Sequence, residues 1–291
     1  MSSELTDLER TTQDPGAGLL ADAPAPGPRA TSPRRSLLPV LGPAGVFALL
    51  VAAWYAVTYL VLDPSRRFLM PAPHTVVVDG VFGKNISEML EALGRTTGVA
   101  LTGLVIAFVL GVAWAILMSQ AQWAETSLFP YAVVLQCIPI LALVPLIGFW
   151  FGFGFSARVL VCVLIALFPI VSNTLFGLKS VDKGHRELFA LHKTRRLTRL
   201  RKLEMPAALP AMFAGLRISG GLAVVGAIVG DFFFKQGAPG IGILIDNYRS
   251  RLQSPQLFAA IILASLLGIA VFAFFGWLSN RVVGKWHNPK Q

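Results

Sequence analysis

Residues Lys179 to Pro210 read KSVDKGHRELFALHKTRRLTRLRKLEMPAALP, a polar interruption between two blocks of nearly continuous apolar sequence. Nine of the 25 Lys and Arg residues fall between Lys179 and Lys202, in a chain that is 55% hydrophobic and only 14% charged. Cations gathered into one loop between apolar blocks are the mark of a membrane protein whose loop faces the cytoplasm.

Working outward, composition fixes the class. With 291 residues and a mean hydropathy of +0.66, the chain has more apolar surface than one soluble core can hide, so the bilayer is its solvent. A net charge of +10 could suggest a polyanionic partner. The cations lie between apolar spans, however, where topology accounts for them, and no nucleic-acid binding is expected.

Runs of about 20 apolar residues, enough to cross roughly 30 Å of hydrocarbon, predict six transmembrane helices. They cover Leu37 to Leu62, Thr97 to Met118, Leu128 to Phe151, Arg158 to Leu178, Ala211 to Phe234 and Leu257 to Val283. With the N-terminus inside, inner segments carry 16 cations if Arg281 at the end of the sixth span is counted with them, outer segments eight if Arg158 at the start of the fourth is, and Arg217 stands within the fifth span, which accounts for all 25. This bias predicts cytoplasmic N- and C-termini.

The tail 1–36, with Pro24, Pro26, Pro28 and Pro33 and no apolar period, is expected to be disordered. The span 37–62 after it is too long for a secretory h-region and reads as a retained anchor behind Arg34 and Arg35. From His74 to Leu93 a partial helical spacing predicts an amphipathic segment on the membrane surface that leads into the second span.

Chemistry-bearing motifs are few. Cys137 and Cys162 sit inside spans and read as small hydrophobes, and His74, His185, His192 and His287 have no metal-ligand spacing, so neither metal nor cofactor is expected. No Walker A spacing occurs, so this chain is not expected to hydrolyse a nucleotide. Arg158, Asp231 and Arg217 read as interfacial or snorkelling groups, and no carboxylate falls mid-span where an ion-coupled carrier would need one. Gly148 with Gly152, and Gly226 with Gly230, have the spacing that lets helices approach closely. Pro139, Pro145 and Pro169 can kink helices, and Gln136, Ser172 and Asn173 are the uncharged polar residues that could line a pathway or bond between helices. A membrane-bound lipid-modifying enzyme is the reading from another class, and it lacks an interfacial carboxylate or histidine cluster.

The loop and its flanks carry a resemblance. Glu187 opens a segment that closes at Pro206, nineteen positions on, with Asn173 to Leu178 before it and Leu203 to Pro210 and Gly215-Leu216-Arg217 after it. This resembles the cytoplasmic EAA signature of permeases of binding-protein-dependent ABC importers, in the nitrate, sulfonate and taurine branch, over about His74 to Trp286. Leu188 and Phe189 stand where the signature has two alanines, Lys193 where it has glycine, and Leu203 and Met205 where it has Ile and Leu. Lys193 is therefore expected to remove a flexible turn.

The resemblance implies an all-α integral membrane protein of the ABC importer permease (MetI-like) fold, with a permease core at 74–286 and a coupling loop at 179–210. It implies a homodimer in a bacterial cytoplasmic membrane, served by two ABC ATPase subunits that hydrolyse the ATP and by an extracytoplasmic solute-binding protein. Glu187, Leu188, Phe189, Lys193, Leu203, Met205 and Pro206 would form the ATPase-coupling loop. Leu188 and Phe189 suit anchors in a cleft of that partner, and Pro206 and Pro210 would open the following helix. Asp231, Gly240 and Gly242 would belong to an outer gate with a short re-entrant stretch. The solute would be a small polar or anionic compound, of the sulfonate, nitrate, taurine or pyrimidine vitamin precursor class.

Overall fold

The computed structural model describes residues 38–284, with side chains from residue 41. The expected disordered tail 1–36 and the end of the expected core beyond Gly284 lie outside the described residues. The chain divides between Leu49 and Leu50, inside the first helix α1 (Leu38–Ala56). Within the described residues the first part is helical only, and the rest of the fold belongs to the part that begins at Leu50.

After α1 and a π-helical turn at Val57–Val61 come the short α2 (Pro73–Thr75), the long α3 (Ile86–Ser119), α4 (Gln122–Cys137) and α5 (Ile140–Phe151). Then follow α6 (Phe155–Lys179), α7 (Lys183–Leu191), α8 (Arg196–Arg199), α9 (Met205–Phe233), α10 (Ile241–Ser250) and α11 (Ser254–Val283). Among the described residues, five helices are long and apolar enough to cross a membrane, and the α4–α5 pair, bent by 95°, makes a sixth span if taken as one. Helices are what lipid requires, since each satisfies its own backbone polar groups.

Four expectations change. The third span is broken, not straight. Pro139 lacks the N–H a helix needs and pushes Ile138 into extended backbone (φ −64°, ψ 125°), so α4 stops and α5 sets off in a new direction. The segment from His74 to Leu93 is not one surface helix. α2 widens into a π-turn at Val76–Val81 that packs under α11, with Gly80 against Pro255 and Ala259, while Ile86 to Leu93 is the first part of α3. At 34 residues α3 is about 51 Å long and projects beyond the hydrocarbon. Gly148 and Gly152 do not join two helices: the Phe153 ring fills the space beside Gly148, and Gly152, at φ +79°, ends α5. Finally, Pro206 stands in the first turn of α9, as expected, but Pro210 lies inside that helix, and α9 does not start afresh there. The helical course runs back to Arg196, and the carbonyl ladder widens into a π-turn at Leu200–Glu204, with Met205 N–H donating to Leu200 O, just before Pro206 withdraws a donor.

The centre is the pair α6–α9, with α3 across it. Lipid gives apolar helices no hydrophobic reason to associate, so contact depends on how closely they can pack. A Cβ at Gly177 would stand 2.9 Å from the Ala208 backbone, at Gly215 2.8 Å from Pro169 O, at Gly226 3.0 Å from Cys162 Cα and at Gly230 3.2 Å from Arg158 Cα. Glycine thus occurs at four places along the pair where the backbones touch, and the Gly226–Gly230 expectation holds. Ser219 Oγ adds a buried hydrogen bond to Ala166 O, 2.7 Å. Cys162 is fully buried in the core shared by the three helices, and both cysteines are free.

Gly226→Leu would force α6 away, and should cost about 1–3 kcal/mol in thermal unfolding of the purified protein. Gly221 faces open space in the same helix. There Gly221→Ala should instead stabilise by about 0.5–1 kcal/mol, by restricting the unfolded chain.

Candidate functional site

Two polar constructions sit at opposite ends of the α6–α9 pair. At the Lys179 end, α7 hangs between α6 and α8. Asp182 caps it by accepting from Gly184 N–H at 3.3 Å, and Arg186 donates to the last carbonyls of α6, Leu178 O at 3.2 Å and Lys179 O at 3.0 Å. Lys179 pairs with Glu125 at the start of α4. Arg199 Nε meets the buried Glu204 at 2.8 Å. Three of the loop's cations are thus structural, fastening it to the ends of the spans.

The turn after α7 forms despite Lys193. That residue takes φ +47°, Lys193 N–H donates to Ala190 O at 2.9 Å and Thr194 N–H to Phe189 O at 3.3 Å, the bonding of a Schellman cap. Thr194 Oγ1 also donates to Phe189 O, 2.9 Å. The expectation that Lys193 removes the turn is therefore wrong. A side chain in the left-handed region is strained by about 1 kcal/mol, which the cap's hydrogen bonds offset.

Of the expected coupling residues, the structure puts Glu187 and Leu188 on the exposed side of α7 and leaves Phe189 half-buried. Leu203 and Pro206 are half-buried on the course into α9, and Met205 packs against the core that holds Leu178, Ala208 and Met212. The sequence reading missed Leu191 and Leu197, 80% and 71% exposed. Leu191 lies three residues after Leu188 on the same helix, a spacing that could have found it.

At the other end, Arg158 of α6 and Asp231 of α9 form a buried ion pair, Nη1 to Oδ1 3.0 Å, with side chains 6% and 1% exposed. Neither group snorkels, since each finds its partner inside the protein. Two opposite charges inside apolar spans must find partners, and that rule could have paired them. Arg158 Nη2 also donates to Phe234 O at 2.6 Å and Gln236 O at 2.8 Å, alternate carbonyls of the extended segment after α9. Asp231 Oδ2 accepts from Thr96 Oγ1 at 2.8 Å and from Gly242 N–H at 3.3 Å, and Thr96 Oγ1 accepts from Ile241 N–H at 2.8 Å. The first N–H groups of α10, which have no partner within their helix, are thereby capped by residues of α3 and α9. Gly240 and Gly242 are glycines because a Cβ on either would overlap Asp231, and on Gly242 also Ile228 O. The expected gate residues Asp231, Gly240 and Gly242 are thus in one place.

Beside them Asp246, on α10, pairs with Lys235 and with Arg249 at 2.8 Å. Hydrogen bonds from Lys235 and then Arg249 hold its carboxyl below the usual carboxylate range. No sequence motif marked this trio.

The expected pathway residues are not all brought together. Gln136, exposed at the end of α4, lines a cavity at the α4–α5 bend. Ser172 and Asn173 turn back to Pro169 O at 3.4 and 2.8 Å, and Asn173 packs where Gly215 makes room. Arg217 lays its guanidinium 3.8 Å from the Phe272 ring centroid.

The family described as "Binding-protein-dependent transport system inner membrane component" matches residues 84–284. Among relatives, the formylaminopyrimidine transport permease protein ThiX of Halalkalibacterium halodurans is 34% identical over 82% of this chain and 94% of its own length. The riboflavin transport system permease protein RibX of Chloroflexus aurantiacus is 32% identical over 89% of this chain and 95% of its own. The putative aliphatic sulfonates transport permease protein SsuC of Bacillus subtilis is 29% identical over 83% and 86%. These relatives give no support to the ion-coupled carrier or the lipid-modifying enzyme.

Two substitutions test the constructions. Lys193→Gly should relieve the left-handed strain and raise stability by about 1 kcal/mol in thermal unfolding. Asp231→Ala, which leaves Arg158 buried without its counter-charge, should lower it by about 3–5 kcal/mol. Arg158→Met with Asp231→Leu should recover only part of that loss, because the carbonyls of Phe234 and Gln236 lose their donor.

Proposed function

Because this chain belongs to the family of binding-protein-dependent transport system inner membrane components, we propose that it moves its solute with energy supplied through α7 by a separate ABC ATPase. It is a multi-pass permease subunit without an ATPase site of its own. In the proposed assembly two copies enclose the path, two ATPase subunits bind the two α7 helices and hydrolyse ATP, and an extracytoplasmic binding protein delivers the solute. The Lys179 end then faces the cytoplasm, with both termini, and the Arg158 end faces outward. The cation bias of the sequence supports that orientation.

One observation carries the coupling reading. α7 is a short helix, capped at both ends and tied back to α6 by Arg186, that nevertheless presents Leu188 at 50% exposure and Leu191 at 80%. Apolar side chains held rigidly in water on a polar loop suit a partner's pocket. Glu187 and Phe189 flank the anchors, Lys193 sets the turn, and Leu203, Met205 and Pro206 carry motion into α9. Gln136 lines the path near the bend, with Ser172 and Asn173 beside Pro169, and Asp231, Gly240 and Gly242 form the outer gate. The relatives' names join pyrimidine, flavin and sulfonate solutes, so the solute class proposed is small and polar or anionic.

Replacing Leu188 and Leu191 together by Asp would place two charges where an apolar pocket is proposed. The double variant should lose co-purification with the ATPase subunit and transport-coupled ATP hydrolysis. Both sites are exposed, so its own thermal stability should stay within about 0.5 kcal/mol of the parent. Undiminished coupling would overturn the reading.

A further inference from the structure

One face of α9 carries Leu222, Val225, Val229 and Phe233 at helical spacing. A cavity lies at each end of that stripe. The first, about 260 Å³, has Gln136 and Ile140 at the α4–α5 bend, Phe168 and Pro169 of α6, and Leu222 in its walls. The second, about 360 Å³, is bounded by Leu141, Val229, Phe232 and Phe233 and by Asp246 and Arg249 of α10. Ile140 and Leu141 are consecutive, so the start of α5 serves both. Leu222 and Val229 are two turns apart, about 10 Å along the helix.

The chemistry of the second cavity is asymmetric. Its walls are aliphatic and aromatic except for Asp246 and Arg249, and the single carboxylate of Asp246 is shared between Arg249 and Lys235, which pairs with it from outside the lining. One positive charge remains in surplus. Arg249 commits Nη2 to Asp246, and its side chain is 70% exposed, which leaves the rest of its planar donor set facing the cavity mouth and solvent.

We propose that this cavity is a weak recognition site for an organic anion with an apolar body, and that the solute passes from it along the α9 stripe to the cavity at Gln136. The proposal deepens the transport reading above and rests on it. Arg249 takes the oxyanion, a sulfonate or carboxylate, and Lys235, held on Asp246, adds to the positive field there. Leu141, Phe232 and Phe233 cover the carbon skeleton. Asp246 fixes the two cations in place and, by cancelling one of their charges, keeps the anion from being held too tightly to move on. A volume of about 360 Å³ is at the small end of ligand sites, which run from about 300 to 1,000 Å³.

The test uses the full chain in nanodiscs and saturation-transfer NMR, with 1-propanesulfonate as the anionic probe and propylammonium as the cation of like size. Saturation should reach the propyl protons of the sulfonate and not those of the ammonium. Arg249→Gln should weaken the sulfonate about tenfold, the loss of one charge-assisted bond. Arg249→Lys should keep most of the affinity, and Arg249→Glu should reverse the preference toward propylammonium. Equal signals from the two probes, no signal from either, or an unchanged sulfonate affinity in Arg249→Gln would each overturn the site. The Leu188/Leu191 double-Asp variant separates this proposal from the coupling reading, since it should bind the sulfonate like the parent while losing ATPase coupling.

Discussion

Everything at the two ends of this protein depends on how closely α6 and α9 approach. Water drives apolar surfaces together in soluble proteins, but a lipid chain is as good a neighbour for leucine as another helix is. The pair is held instead by direct backbone contact, at Gly177, Gly215, Gly226 and Gly230. The same approach permits the buried ion pair of Arg158 with Asp231. Arg158 reaches Asp231 because Gly230 leaves no side chain between them. Burying either charge alone would cost several kcal/mol, so the glycines and the ion pair stand or fall together. From the pair follow the hanging of the 234–240 segment on Arg158, the capping of α10 by Thr96 and Asp231, and so the position of Asp246 and Arg249 beside the end of α9.

The basic loop has more than one physical task. Its nine cations bias topology. Arg186 closes the carbonyl end of α6, Lys179 holds α4, and Arg199 neutralises a buried glutamate. These contacts make α7 a stiff appendage. A flexible loop would absorb a push in its own bending, whereas a capped helix fastened to α6 passes it on.

Much of this was legible in the sequence because membrane physics leaves few choices. Apolar runs gave the positions of five spans, and the spacing from Glu187 to Pro206 gave the loop its family. What escaped was decided by neighbours. Pro139, Pro145 and Pro169 look alike in the chain, yet only Pro139 ends a helix; Pro145 and Pro169 stay inside α5 and α6. Whether a proline breaks or bends a helix depends on the groups around it, which an isolated apolar run does not reveal. Arg158 and Asp231 were each plausible near a span end, and only the fold brings together residues so distant in sequence. Lys193 misled in another way. The rule that glycine suits a left-handed cap is sound, but a strain of about 1 kcal/mol is small beside the hydrogen bonds that demand the conformation.

The bend and the π-turn give the proposed cycle its division of labour. α6 and α9 are locked to each other along their length, and α7 and α8 join their ends at the Lys179 side. Movement of α7 therefore acts on the pair as one body, with compliance at the Leu200–Glu204 π-turn, where the hydrogen-bond ladder is already widened. Through Asp231 and Thr96 the same body carries α10 at its far end. α4 and α5, by contrast, meet at a 95° break, and α4 is pinned to the end of α6 by Lys179 and Glu125. The walls of both cavities are shared between the locked pair and the broken one. A displacement of α6–α9 relative to α4–α5 would then change the two cavities in the same stroke, which is the geometric requirement for a path open to one side at a time.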